Sequence, residues 1–192
     1  MSLYQKALYS LLLSLQMLHT NGNAQRNYLG IAYNYHVLTT QEYFPYRFST
    51  IGVNYRHFLN DRRFMITHTI GLNASKSKGT TSTDIHQLNY LSYNINRNGR
   101  VNMHLGPLLT FGMSQQRFNQ DILRENRRFV GVGIAAGIGL KLTRSIWLYL
   151  DHIASQEYNA YRFSSTLSIP PARFANNSFN LYSSLSISLF SF

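Results

Sequence analysis

The chain has 192 residues, with 18 lysines and arginines against 7 acidic residues, 44% hydrophobic residues and no cysteine. This length indicates one domain, the hydrophobic content excludes a disordered chain, and the missing cysteine excludes a disulfide framework. The formal net charge of +11 favours anionic partners such as a membrane surface. Nucleic acid is not a predicted partner, because the sequence contains no recognisable nucleic-acid-binding module.

The first 24 residues are predicted to be a secretory signal peptide. Lys6 is their only charged residue, the apolar run covers residues 7–18, and the small residue Ala24 suits signal peptidase cleavage before Gln25. The apolar run is too short to cross a bilayer as a helix. The alternative is an amphipathic or buried first helix that stays in the mature protein.

The remaining residues, 25–192, are predicted to form an all-β domain. Apolar residues recur there at every second position, which is typical of strands with one apolar and one polar face. An even number of such strands suits an antiparallel up-and-down barrel. The eight predicted strands include residues 29–37, 50–56, 64–73, 91–95, 101–113, 130–140, 146–150 and 179–189.

The predicted connections alternate between short and long. Outer-membrane barrels have short turns on the periplasmic side and long loops outside, so the alternation predicts both topology and orientation. Asn98-Gly99 is in addition the signature of a two-residue type I′ hairpin. The short links are Asn60-Asp61-Arg62, Asn98-Gly99 and Leu142-Thr143, and the long links lie near residues 39–47, 75–86, 115–127 and 156–175.

The polar face of the strands is predicted to line the lumen of a membrane barrel. Glycines alternate along residues 131–139 on this face, and inside a narrow barrel they leave room for Trp147 and Tyr149 on the next strand. Three charged residues on this face suit an interior hydrogen-bonded network, namely Arg56, Lys141 and Asp151. In the alternative, a soluble lipocalin-like lipid carrier, the polar face would be the hydrated outer surface.

The signal peptide, the eight amphipathic strands and the terminal Phe192 together resemble the small OmpA/OmpX-like, porin-like outer-membrane β-barrel proteins. The resemblance implies an integral protein of the Gram-negative outer membrane with a structural, interaction or narrow-pore role, no enzymatic activity and no cofactor. Its implied partners are outer-membrane lipids, lipopolysaccharide and the barrel-assembly machinery, with another envelope protein as a further candidate.

In this family the terminal aromatic residue and alternate residues before it form the signal that the assembly machinery reads. Phe190 and Phe192 are in phase with each other, but the apolar run Leu185, Ile187, Leu189 is in the opposite phase. The sequence therefore predicts either a bulge near Leu189 or a non-standard signal.

Three arginines of the predicted third long loop are candidates for lipopolysaccharide contact. Arg127 and Arg128, with Arg124 nearby, are interpreted as a clamp for phosphate groups, because the guanidinium fork matches phosphate geometry. The alternative is a solvated rim that attracts anions without a defined site.

Some barrels of this size are lipid A-modifying hydrolases that use a histidine, a serine and an acidic residue facing the membrane. The weak candidates for such roles here are His152, Ser155 and Glu157. Strand residues three apart point to opposite faces, so no catalytic site is predicted and the hydrolase stays an alternative. No His, Asp and Glu cluster has metal-ligand spacing, so no metal site is predicted.

Overall fold

A computed structural model describes residues 27–39, 46–59, 62–77, 80–96, 99–118, 123–165 and 172–191. The predicted signal peptide of residues 1–24, its cleavage before Gln25 and the terminal Phe192 lie outside these ranges. Within the same ranges, no helix is long and apolar enough to cross a membrane.

The described residues form eight antiparallel strands, which confirms the predicted fold class. Each strand pairs with the next along the chain, and the last pairs with the first to close a barrel. The strands are β1 Asn27–Thr39, β2 Tyr46–Leu59, β3 Phe64–Ser77, β4 Thr80–Asn94, β5 Val101–Phe118, β6 Leu123–Lys141, β7 Trp147–Ser165 and β8 Arg173–Ser191.

The strand registers set the tilt of the barrel. If one starts at Ile31 on β1 and moves from each residue to its partner on the next strand, one reaches Asn177 on β8. Ile31 itself pairs with Ile187 on β8. The two positions on β8 differ by ten residues, and this difference is the stagger of the barrel. With about 3.3 Å per residue along a strand and about 4.8 Å between strands, this stagger gives a tilt of about 40°. Outer-membrane barrels have the same tilt.

We distinguish the two ends of the barrel by name. The end that contains the first residue of β1, Asn27, and the last residue of β8, Ser191, is called the turn end, and the opposite end is called the extended end. Three links lie at the turn end, at residues 60–63, 95–100 and 142–146, and four at the extended end, at residues 40–45, 78–79, 119–122 and 166–172.

Three of the four long loops predicted at the extended end, those near residues 75–86, 115–127 and 156–175, are mostly strand, so their predicted bounds are wrong. β4 already begins at Thr80, β5 continues to Phe118, and β7 continues to Ser165. Beyond the membrane both faces of a sheet meet water, so backbone pairing continues there without the apolar alternation that reveals a strand in the sequence.

Asn98 of the predicted two-residue hairpin at Asn98-Gly99 lies outside the described residues. β4 ends at Asn94 and β5 begins at Val101, and the backbone N–H of Ile95 still donates to the carbonyl of Met103 at 2.8 Å. Asn94 is held by the neighbouring turn: its Nδ2 donates to the carbonyl of Arg62 at 2.6 Å. This contact joins residues far apart in sequence, so the dipeptide signature could not reveal it.

The apolar faces of the strands point outward and the polar faces point inward. On β6, Val130, Val132 and Ile134 are 55–61% exposed, whereas Ala135, which follows Ile134, is fully buried. Exposed apolar residues continue to Leu140, about 33 Å along the strand, or about 25 Å along the barrel axis at the tilt above. That is the height of the apolar band of an outer-membrane barrel, and it excludes the lipocalin-like alternative. Other exposed members of this apolar belt are Ile31, Ile51, Leu72, Leu91, Leu105, Leu109, Leu150 and Leu185.

The predicted bulge near the carboxyl terminus is confirmed. Leu29 pairs with Phe190 and the next residue, Gly30, pairs with Ser188, so Leu189 is the extra residue on β8. The bulge reconciles the opposite phases of the apolar run and of Phe190.

Candidate functional site

A buried ion pair spans the lumen in its turn-end half. Nη2 of Arg56 on β2 lies 2.5 Å from Oδ2 of Asp151 on β7, and both side chains are almost completely buried. The same carboxylate accepts a hydrogen bond from Tyr90 Oη at 2.8 Å and contacts His104 Nε2 at 2.9 Å. Side chains from four strands therefore meet at one carboxylate. Tyr90 had not been identified as a partner of Asp151 from the sequence.

The guanidinium of Arg56 is satisfied on all sides. Its Nε donates to Asn54 Oδ1 at 3.0 Å, and Nη2 also donates to Ser186 Oγ at 3.1 Å. The plane of the group lies over the ring of Tyr149, 3.7 Å from the centroid. A charge buried in this way is tolerated only with such a complete set of partners.

Aromatic side chains fill the lumen next to this pair. Tyr149 is fully buried and its ring is nearly parallel to that of Trp147, 5.8 Å away. A Cβ atom on Gly139 would lie 2.4 Å from the Tyr149 ring, so the glycine makes room for it. Lys141 lies at the end of β6, with Nζ 6.0 Å from the Trp147 ring.

A second polar network lies in the extended-end half of the lumen. Arg127 Nη2 lies 3.2 Å from Glu157 Oε2, and Arg127 Nε donates to Asn159 Oδ1 at 2.7 Å. Glu157 also accepts hydrogen bonds from Tyr182 and from Ser155. Arginine and carboxylate again neutralise each other inside the barrel.

An apolar layer separates the two networks. Along β7, Ile153 lies between Asp151 and Glu157, and it is 2% exposed. Leu88 and Leu108 from β4 and β5 are equally buried. In the described part of the chain, the lumen therefore contains successive polar and apolar layers of side chains.

The predicted hydrolase residues do not come together. His152 is exposed on the outer face, whereas Ser155 and Glu157 are buried in the lumen, as expected for strand residues of opposite parity. The hydroxyl beside His152 is that of Ser183 on β8, 3.1 Å from Nδ1. All acidic residues of the described ranges occupy inward positions, so within those ranges no carboxylate orients His152.

The predicted clamp of Arg127 and Arg128 is wrong. Both residues belong to β6 rather than to a loop, and neighbours on a strand point to opposite faces. Arg127 is buried in the lumen beside Glu157, while Arg128 is exposed on the outer face. Arg124 shares the outward parity of Arg128 and is half-buried.

Among the described side chains, the outer face of the extended end carries five arginines, which we call the arginine face. Arg162 and Arg173 had escaped sequence reasoning because they were assigned to a long loop. A pocket of about 640 Å³ lies in the wall at this end of the barrel. Most of its lining residues face outward, namely Met113, Gln115, Asn126, Arg128, Ala160, Arg162, Ser164 and Arg173, and the inward-facing Ser114, Arg127 and Tyr161 complete it. The arginine face consists of Arg117, Arg124, Arg128, Arg162 and Arg173.

No protein-family model and no curated protein matches the sequence. Among solved structures, the chain is similar to Neisserial surface protein A, with a TM-score of 0.55 and 15% identity over 85% of this chain and 96% of that one. It is similar to Ail of Yersinia pestis, with a TM-score of 0.55 and 10% identity over 87% and 98%. It is also similar to the outer membrane protein AlkL in lipid bilayers, with a TM-score of 0.57 and 12% identity over 91% of this chain and 97% of that one.

The chain has the fold of a small outer-membrane β-barrel. At these identities the likeness concerns the fold alone. It gives the exposed apolar belt a physical reason, because the outer wall of such a barrel faces hydrocarbon.

Among the polar side chains that interrupt the lipid-facing belt in the described residues, two hydrogen-bonded spots contain a histidine. His68 Nδ1 lies 2.7 Å from Asn89 Oδ1, which also accepts from Gln87 Nε2 at 3.1 Å. On the other side of the barrel, His152 and Ser183 form the second spot. Polar groups at this depth are costly unless they bond to one another, as both spots do.

Proposed function

We propose that the protein is an integral outer-membrane barrel of a Gram-negative envelope with a structural or interaction role rather than a general diffusion role. The observation that carries the proposal is the filled lumen, where the Arg56–Asp151 pair links β2 to β7 and packs against the stacked Tyr149 and Trp147 rings. Eight strands enclose space for side chains and little more. Function is then presented at the surfaces of the barrel.

Conductance in planar bilayers tests the closed lumen. The purified protein is expected to show no steady conductance, because charged and aromatic side chains block its interior. A steady conductance that Gly133→Leu narrows would overturn the proposal and make the protein a narrow pore. Migration in unheated detergent gels shows that the protein is folded, because folded and unfolded barrels migrate differently.

The turn end is proposed to face the periplasm and the extended end the outside, because outer-membrane barrels have their short turns inside. A cysteine at Gly99 should resist an impermeant thiol reagent in intact cells, whereas one at Gly79, between β3 and β4, should react. Labelling in the reverse sense would overturn the orientation.

Outer-membrane lipids and lipopolysaccharide surround the barrel in this proposal, and the assembly machinery reads Phe190 and Phe192. The bulge at Leu189 supports this reading, since it returns the strand to register at Phe190. Deleting Phe192 should lower the amount of folded protein in the outer membrane. Unchanged assembly would show that these residues are not the assembly signal. Another envelope protein would then be the candidate partner for insertion.

A lipid A-modifying hydrolase is the second candidate function, because His152 lies next to Ser183 on the lipid-facing wall. An oriented base needs a third group, and the inward position of the described carboxylates disfavours catalysis. Mass spectra of lipid A from a strain without the protein should equal those of the parent. A change in acylation that His152→Ala reproduces would establish the hydrolase.

A further inference from the structure

The arginines of the arginine face lie unusually close to one another. Arg162 on β7 pairs directly with Arg173 on β8, and Arg117 on β5 pairs directly with Arg124 on β6. Because Arg162 also lies opposite Asn126, the residues two positions to either side on β6, Arg124 and Arg128, are its diagonal neighbours.

This arrangement is unfavourable for the protein alone. Like charges directly opposite each other on neighbouring strands destabilise a sheet. Arg128, Arg162 and Arg173 form no ion pair within the described ranges, where every carboxylate occupies an inward position. A bound anion would convert the repulsion into attraction.

The depth of the arginine face selects the kind of anion. Arg128 lies two residues beyond Val130, where the apolar belt of β6 begins, which corresponds to about 5 Å along the barrel axis at a tilt of about 40°. Tyr158, the partner of Val130 on β7, is 54% exposed, as expected for an aromatic residue at the membrane interface. The arginine face therefore begins in the headgroup layer of the bilayer.

The pocket has the size and the donors for a phosphorylated sugar. Its volume of about 640 Å³ is that of a small-molecule site, and Asn126, Gln115 and Ser164 add neutral hydrogen-bonding groups to its arginines. Arginine forks bind phosphate oxygens in pairs, which a point charge such as lysine does not do.

We propose that this pocket binds the phosphate groups of a phosphorylated glycolipid of the outer leaflet, the lipid A portion of lipopolysaccharide. Arg162 lies at the centre of the site, with Arg128 and Arg173 beside it. The inference rests on the proposed outer-membrane location and on the outward orientation of the extended end. Arg127 also lines the pocket, but its guanidinium is bound to Glu157 inside the lumen, so it is not assigned as a lipid contact.

The test compares two double variants of equal charge. Arg162→Gln with Arg173→Gln changes the pocket, and Arg100→Gln with Arg144→Gln removes two exposed arginines at the turn end. Each protein is folded into nanodiscs of phosphatidylcholine and titrated with lipid A, with dephosphorylated lipid A and with inorganic pyrophosphate. Bound lipid is counted by native mass spectrometry, and thermal unfolding is followed in parallel.

Lipid A should bind the pocket variant at least ten times more weakly than the wild type and the turn-end variant. Without lipid A the pocket variant should unfold at the same temperature as the wild type or higher, since a repulsion has been removed. Addition of lipid A should raise the unfolding temperature of the wild type and of the turn-end variant only.

Equal lipid A affinity in all three proteins would overturn the site. Equal protection by pyrophosphate, or by the dephosphorylated lipid, would overturn the assignment to lipid phosphate. An unfolding temperature of the pocket variant that falls without lipid A would give these arginines a structural role instead. Failure of the wild type to fold into nanodiscs would overturn the proposed membrane location. That outcome differs from failure of the site, in which the wild type folds but does not bind lipid A.

Discussion

The lumen and the arginine face place the same side chain in opposite surroundings. Inside, Arg56 and Arg127 each lie beside a carboxylate. Outside, Arg162 lies directly opposite Arg173. One set of arginines is neutralised by the protein, and the other is left for a ligand.

The difference follows from the alternation of strand residues rather than from local composition. Arg127 and Arg128 are adjacent in sequence, yet one is in the lumen beside Glu157 and the other is exposed. A buried charge without a partner is costly, so the inner face had to acquire its carboxylates. An exposed charge can be solvated or can bind an external anion, and the outer face carries none of the described carboxylates.

The largest effect is expected where the lumen loses one member of its ion pair. Arg56→Leu should lower the free energy of unfolding by about 3–5 kcal/mol, because Asp151 would remain buried without its guanidinium. The double variant with Asp151→Leu should recover most of the loss. Urea titration read by migration in unheated gels measures both, and a single variant as stable as the double would contradict the role of the pair.

A charge introduced into the apolar belt should have the next largest effect. Ile134→Arg should cost about 2–4 kcal/mol of barrel stability, because a charge near the bilayer midplane is poorly solvated. Ile134 is 59% exposed in the belt, whereas Leu142, equally exposed, lies in a turn-end link. Leu142→Arg is thus the control and should cost about 0–1 kcal/mol. Equal losses of stability for the two variants in a bilayer would place Ile134 in water and contradict a lipid-facing outer wall.

Overfilling the lumen should cost somewhat less. A Cβ atom at Gly133 would lie 2.1 Å from the carbonyl oxygen of Ala154, so β6 and β7 would have to move apart. Gly133→Leu is expected to destabilise the barrel by about 1–3 kcal/mol. The matched change at the exposed turn residue Gly99, whose nearest atom would be at 3.1 Å, should be nearly neutral in the same urea titration. A neutral Gly133→Leu would mean that the lumen has free space there.

The smallest effect is expected at the polar spots of the lipid-facing belt. His152→Leu should change the free energy of unfolding by less than about 1 kcal/mol and in the stabilising direction, because the imidazole bonds only to the exposed Ser183. Unfolding in lipid vesicles measures this change. A loss above about 2 kcal/mol would show that the outer wall, like the lumen, depends on a polar contact.

Much of the fold and part of the site follow from the residues in order. The period of two places Ile134 on one face and Arg56, Asp151 and Tyr149 on the other, since a strand has only two faces. The alternating glycines of residues 131–139 then favour the second face as the lumen. Eight such strands and the phase conflict at Leu189 were equally visible in the sequence, and the structure confirms the barrel and the bulge.

The extent of the strands and the partners across the barrel were not predictable in the same way. β7 continues to Ser165 through residues that lack apolar alternation, so Arg162 was assigned to a loop. Similarly, no local pattern indicates that Ser183, rather than Ser155, lies beside His152.

The sequence by itself determined which residues of each strand share a face, because successive strand residues point to opposite sides, and its alternating glycines favoured the polar face as the lumen. The tertiary structure decided which residues meet. The stagger of ten residues around the closed barrel brings Asp151 on β7 to Arg56 on β2 across the lumen, and it sets Arg162 against Arg173 outside. Register is the joint result of eight non-local strand pairings, and no single segment of the chain contains it.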